Sequence, residues 1–204
     1  MKKIETSISG LYILETVDFQ DERGCFQKLY NYDFFEENDL DTDFKEFYYS
    51  VSRKDVIRGM HFQLPPFDHT KLVYVSKGKI RDVVVDLRQK SATFGMFFSL
   101  EMDERAARYL YIPRGLAHGF LALEEGSIVN YAQTSCYAKD QDCGIAWDSF
   151  GFDWGIQRPI VSGRDLTFEK LENFRGECKL SVWLCQIAKH LYFCLLYTSP
   201  SPRD

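Results

Sequence analysis

His61, His69 and Lys71 fall within eleven residues in the stretch Arg58-Gly59-Met60-His61-Phe62-Gln63-Leu64-Pro65-Pro66-Phe67-Asp68-His69-Thr70-Lys71. An imidazole near its working pKa can take a proton from carbon, and a nearby ammonium can stabilise the enolate that forms. One histidine on a strand is more often a satisfied core residue than a catalyst. Here Arg58, His61, His69, Lys71, His118 and Tyr131 would line one barrel interior, and so many polar groups would each need a buried partner. Three histidines also raise a metal site, because imidazoles on neighbouring strands hold iron or zinc in small β-barrels. The usual His-x-His pair is broken by Gln63 in the second position, so no metal is expected. Ser or Cys nucleophilic catalysis lacks a Gly-x-Ser-x-Gly turn, and Cys136 and Cys143 have no histidine close in sequence. Gly-x-Gly-x-x-Gly and P-loop patterns are absent, which argues against dinucleotide chemistry.

These side chains need short strands to hold them. Pro65-Pro66 blocks a helix, so the two ends of the central stretch read as strands joined by a stiff loop. Gly10 to Phe19 suits a strand closed by the turn Asp21-Glu22-Arg23-Gly24, and Asn31 caps a short apolar helix carrying Phe34, Phe35 and Leu40. Phe47, Tyr49 and Val51 alternate with Tyr48, Ser50 and Ser52 in a further strand. Leu72 to Val75, the turn Lys77-Gly78 and the run Ile80 to Leu87 predict a buried hairpin. Strands follow over 93–100, 109–112, 117–121 and 127–134, with a helical turn over 103–107, a loop over 159–165 and a short helix over 168–174. Strands at roughly ten-residue spacing between Gly and Pro turns predict a β-sandwich or barrel.

The 204 residues suffice for one well-buried core. Net charge -5 and a pI near 5.5 argue against nucleic acid as the main partner. Glu5 precedes any apolar run, so no signal peptide is read and a cytoplasmic location is expected. The six cysteines are scattered without a CxxC and are expected to be free thiols. Residues 1–176 are expected to form the domain. The stretch 177–204 differs in character: its apolar run is interrupted by Gln186, Lys189 and His190, so a membrane span is not favoured, and it reads as foreign to the fold.

The blocks DERGCF, RGMHFQLPP, KLVYVSKGKIRDVVVDLR, SATFG, YIPRGLAHGFLAL, VNYAQTSCY, GIAWDS and IVSGRD resemble, in order, those of the dTDP-4-dehydrorhamnose 3,5-epimerases, from about Ile4 to Phe174. The resemblance implies an all-β, cupin-like jelly roll with a few short helices, working as a homodimer without metal or cofactor. It implies an isomerase of dTDP-rhamnose and surface polysaccharide biosynthesis that inverts carbons 3 and 5 of a nucleotide-linked 4-keto-6-deoxyhexose. By the same resemblance His61 is the base, Asp165 orients it, Lys71 stabilises the enolate oxygen and Tyr131 returns a proton from the opposite face. Tyr137 would lie by the nucleotide, and Arg23, Phe26 and Arg58 would contact the diphosphate or the base. Gln63, His69 and His118 complete the expected substrate contacts. Family members usually have Glu at Lys28, Gln and Asn at Glu46 and Tyr48, and Gln at His69. Two alternatives therefore stay open: a 3-only or 5-only epimerase of a CDP- or GDP-linked ketosugar, and a sugar-binding module without turnover.

Overall fold

The computed structural model describes residues 1–174, and the stretch expected to be foreign, 177–204, lies outside the described residues. The chain opens with β1 (Lys2–Glu5) and β2 (Tyr12–Glu15), then a separate hairpin of β3 (Asp18–Asp21) and β4 (Gly24–Gln27), and α1 (Tyr32–Glu37). The main strands follow: β5 (Glu46–Ser52), β6 (Val56–Gln63), β7 (Lys71–Lys77), β8 (Lys79–Asp86), β9 (Phe97–Asp103), β10 (Arg108–Ile112), β11 (Leu116–Ala122) and β12 (Ser127–Gln133). Two short strands, β13 (Asp142–Gly144) and β14 (Ile160–Val161), precede 3-10 turns over Asp165–Thr167 and Leu171–Asn173. One sheet runs β1-β2-β10-β7-β12-β5 and the other β13-β6-β11-β8-β9, with β14 added beside β6. This is the expected all-β jelly roll.

The turn chemistry explains most of these boundaries. Asn31 accepts the Phe34 N–H through Oδ1 at 2.9 Å, so the helix starts where a capping residue was read. The expected hairpin of β7 and β8 is not one. Gly78, with φ +75°, carries the chain from one sheet to the other, and β8 pairs with β9 and β11 while β7 pairs with β10 and β12. Two largely buried strands joined by a tight turn give the same pattern whether they pair or face each other across a core. The strand read over 10–19 breaks at Thr16-Val17 into β2 and β3, and β9 starts later than expected because residues 91–95 form turns around Asp86. Asp103 accepts the N–H groups of Arg105 and Ala106, making the expected helical turn a capped strand end. Within the loop expected over 159–165 lies β14, and the helix expected over 168–174 is reduced to the second 3-10 turn.

Three apolar layers result. Val73, Val75, Leu110, Val129, Val84 and Phe120 fill the space between the sheets. Phe35 and Leu40 cover the outer face of the first sheet through Leu72 and Tyr111, and Trp147, Phe150 and Trp154 cover the second. Edge strand β5 is the exception: its outward residues Phe47, Tyr49 and Val51 are 72%, 67% and 52% exposed, while Tyr48 and Ser50 turn towards a cavity and Ser52 is buried. Cys25 and Cys136 are free, whereas Cys143 is disulfide-bonded, which corrects the expectation of free thiols at all positions. No helix among the described residues is long and apolar enough to cross a membrane.

Candidate active site

A cavity of about 360 Å³ opens at one end of the sandwich. The first sheet supplies Glu46, Tyr48 and Ser50 from β5, Lys71 from β7, and Tyr131 and Gln133 from β12. Opposite them stand Arg58, His61 and Gln63 from β6 and His118 from β11. Residues two apart share a face, which groups Tyr48 with Ser50, Tyr131 with Gln133 and His61 with Gln63; Arg58, three residues before His61, joins them through a register shift in the β11–β6 pairing. His118 lies directly across from His61 in the β11–β6 register, so both imidazoles reach the cavity from one wall. Close backbone approach makes this possible: a Cβ on Gly119 would stand 2.7 Å from the Arg58 carbonyl oxygen.

His61 Nε2 is 2.9 Å from Asp165 Oδ1, across 104 residues of sequence. Asp165 sits at the start of a 3-10 turn, where its Oδ2 also accepts the Gly59 N–H at 3.3 Å. Burial alone would raise the Asp165 pKa, but the bonds from His61 and Gly59 outweigh it and hold the carboxylate below its usual range. For His61 burial dominates and lowers the pKa, with Asp165 opposing. A neutral imidazole donating Nε2–H to Asp165 keeps a lone pair on Nδ1, the arrangement of an oriented base.

Lys71 is buried and spans the gap between the sheets, donating from Nζ to the His61 carbonyl at 3.2 Å. Burial pulls its pKa down to about 8, with Asp142 and Asp82 opposing. His118 Nε2 meets Asp82 Oδ2 at 2.7 Å, and both side chains are almost wholly buried. Burial raises the Asp82 pKa, with His118 opposing, and Asp82 Oδ1 has no hydrogen-bond partner among the described residues. Tyr131 packs edge-on to His118 at 6.0 Å and stacks on Tyr48 at 4.7 Å. Burial raises its pKa well above that of an ordinary tyrosine, so the phenol stays protonated.

The remaining expected residues divide. Gln63 lines the cavity, but its amide is committed to backbone: Nε2 donates to the Phe67 and Cys136 carbonyls and Oε1 accepts the Ala138 N–H. It ties together two loops at the cavity mouth, one of which carries Tyr137. His69 is buried and held neutral, its pKa pushed down to about 3 by burial and by Lys71, with Nδ1 facing Ser135 Oγ at 3.2 Å. Arg58 donates to Ser52 Oγ and to the Val51 carbonyl, and Tyr137 stands exposed with its N–H on Glu46 Oε2. Arg23 and Phe26 are not brought to this cavity. They stand on the β3–β4 hairpin, where the Arg23 side chain is 86% exposed and pairs with its near neighbour Asp21, and Phe26 borders a separate groove with Lys28 and Phe34.

Three contributors were missed in the sequence. Arg164 lines the cavity, paired to Asp142 at 2.9 Å, with Nε and Nη2 buried and without a hydrogen-bond partner among the described residues. Asp142 sits on β13, a strand too short to leave a periodic signal. Asp82 did leave one: an acid between Ile80 and Val84 on the inward face of an apolar strand has to find a polar partner. Among the described residues no group of three or more His, Cys, Asp or Glu side chains is placed to hold a metal ion.

Residues 5–173 match the family model described as dTDP-4-dehydrorhamnose 3,5-epimerase. A dTDP-4-dehydrorhamnose 3,5-epimerase from Methanothermobacter thermautotrophicus is 40% identical over 173 residues, covering 82% of this chain and 93% of its own. The crystal structure of the Bacillus anthracis dTDP-4-dehydrorhamnose 3,5-epimerase with TDP and PPi bound superposes with a TM-score of 0.80 at 35% identity, covering 83% of this chain and 98% of that one. A dTDP-6-deoxy-D-glucose-3,5-epimerase from Legionella pneumophila, in complex with dTDP-4-keto-L-rhamnose, gives 0.81 at 30% identity, covering 85% and 94%.

Proposed function

Because the chain belongs to the dTDP-4-dehydrorhamnose 3,5-epimerase family, we propose that this cavity inverts carbons 3 and 5 of a dTDP-linked 4-keto-6-deoxyhexose by proton transfer between its two walls. The chain is an isomerase of dTDP-rhamnose biosynthesis. Inversion needs a base on one face of the sugar and an acid on the other. The single observation that carries the reading is that His61 stands on one sheet and Tyr131 on the other, across the same cavity.

His61 removes the proton next to the ketone, held in its tautomer by Asp165. The electron pair moves onto the ketone oxygen, where the Lys71 ammonium stabilises the enolate. Tyr131 then delivers a proton from the opposite wall. Arg58, at the cavity edge, suits the diphosphate, because a guanidinium fork binds two oxygens. His118, His69 and Tyr137 line the cavity; in this reading the two histidines border the sugar and Tyr137 the nucleotide at the mouth. The dTDP relatives favour this reading over the CDP- or GDP-linked single epimerase that Glu46, Tyr48 and Lys28 left open. The paired base and acid favour it over a binding module.

The protein works as a homodimer in this reading. The outward apolar face of β5 requires a cover, and Arg23 and Phe26, remote from their own cavity, serve that of the partner. The location is cytoplasmic, since a charged diphosphate does not cross a bilayer unaided. Residues 1–176 form the working unit, and a chain ending there keeps its rate. The deciding experiment supplies dTDP- and CDP-linked 4-keto-6-deoxyglucose in deuterium oxide and reads product mass. Two deuterons in the dTDP sugar are expected; none, with tight binding, would leave a module.

A further inference from the structure

Tyr48 was set aside in the sequence as a departure from the family pattern, yet it stands on the acid wall. Strand β5 pairs with β12 so that Tyr48 lies directly opposite Tyr131, and the two rings stack at 4.7 Å with 16° between their planes. Both side chains line the cavity. Gln133, one turn of the pleat along the same face, donates from Nε2 to the Tyr48 hydroxyl oxygen at 2.6 Å. The amide occupies an oxygen lone pair and leaves the phenol hydrogen to be donated. Burial raises the Tyr48 pKa, with Glu46 and Asp142 adding to the effect, so this phenol also remains protonated.

Inversion needs proton donors on the face opposite the base, and this pair offers two. In a gluco-configured chair the hydrogens on carbons 3 and 5 are both axial on one face, so a single base can reach both. Each inversion then consumes one proton on the opposite face. Resting on the epimerase reading above, we propose that Tyr48 is a second catalytic acid, and that Tyr131 and Tyr48 each protonate one of the two carbons. For its carbon, His61 takes the proton from C–H and the pair moves to the ketone oxygen. The enolate carbon then takes the hydroxyl proton of Tyr48 as its electrons return from oxygen. Tyr48 is left as a phenolate and His61 as an imidazolium, and both are reset by exchange with water. Gln133, as a donor to the hydroxyl oxygen, stabilises the phenolate.

The test is single and double substitution of the phenols, assayed with dTDP-4-keto-6-deoxyglucose in deuterium oxide. Configuration is read by NMR and deuterium content by mass. Tyr48→Phe keeps the stacked ring and removes only the donor. It should accumulate a singly inverted product and form the doubly inverted one roughly 10²-fold more slowly, the low end for a general acid. Tyr131→Phe should accumulate the other singly inverted product. The double variant should exchange at both carbons with retention and invert neither. Tyr48→Phe with the wild-type product ratio would overturn the proposal, and so would a loss seen in Tyr48→Leu but absent in Tyr48→Phe, since stacking alone would then explain the residue. A wild-type chain that exchanges no deuterium would instead remove the epimerase reading on which the proposal stands.

Discussion

Two histidine–aspartate pairs face one cavity and differ in almost nothing but their surroundings. His61–Asp165 and His118–Asp82 have N···O distances of 2.9 and 2.7 Å, and the two histidines are cross-strand neighbours. The His61 side chain is 31% exposed at the cavity and its carboxylate takes further bonds, whereas His118 and Asp82 are 4% and 0% exposed and one oxygen of Asp82 has no partner among the described residues. A group that must gain and lose a proton needs access and a carboxylate stable in both states. The inner pair borders the cavity but is almost closed to solvent and its carboxylate lacks the second contacts, so it holds the wall next to Tyr131 in place. Burial and second contacts, not pair geometry, separate a base from a scaffold.

The comparison can be broken most directly at His61. His61→Ala should lose 10²–10⁴-fold in deuterium exchange at both carbons, the range of a general base, while nucleotide affinity is retained. Exchange within tenfold of wild type would move the base elsewhere. The inner pair should answer in stability: Asp82→Ala strands His118 in the core, costing about 1–3 kcal/mol, which calorimetry would register as a drop of several degrees in Tm. An unchanged Tm would show that the inner pair is not a scaffold.

The pH profile sharpens the contrast. Activity should rise through a His61 pKa below 6.5 and fall again near pH 8, because Lys71, with its pKa lowered to about 8, loses its charge as pH increases. Asp165 raises the His61 pKa, so Asp165→Asn should move the acid limb to lower pH, while Lys71→Arg should carry the alkaline limb out of range. The smallest effect belongs to a chelator, which should leave the rate unchanged, since no metal is expected to join the two histidines. Activity lost to a chelator and restored by zinc or iron would overturn that.

What was legible in the sequence followed from local chemistry. Asn31 announced a cap, Pro113 an end, and the β5 and β12 alternations their strands. His61, Lys71 and Tyr131 stood out because charged and phenolic groups on apolar strands need a purpose. Pairing was not legible: the turn at Gly78 looks the same whether β7 and β8 join one sheet or two. Nor was the direction of β5, where the larger apolar residues face outward, against the usual rule. Arg164 and Asp142 became visible only through each other, since an ion pair between residues 142 and 164 leaves no periodic trace. Arg23 and Phe26 matched by motif, yet a single chain gives them no site.

Strand β5 has one consequence that belongs to assay practice. Among the described residues it pairs only with β12, and it carries Tyr48 inward and presents Phe47 and Tyr49 outward, so whatever covers its outer face also steadies the acid wall behind it. In the homodimer proposed above, specific activity becomes a function of protein concentration. On serial dilution the yield of inverted product should decline before solvent exchange does, since His61 sits on the other sheet and does not depend on that edge.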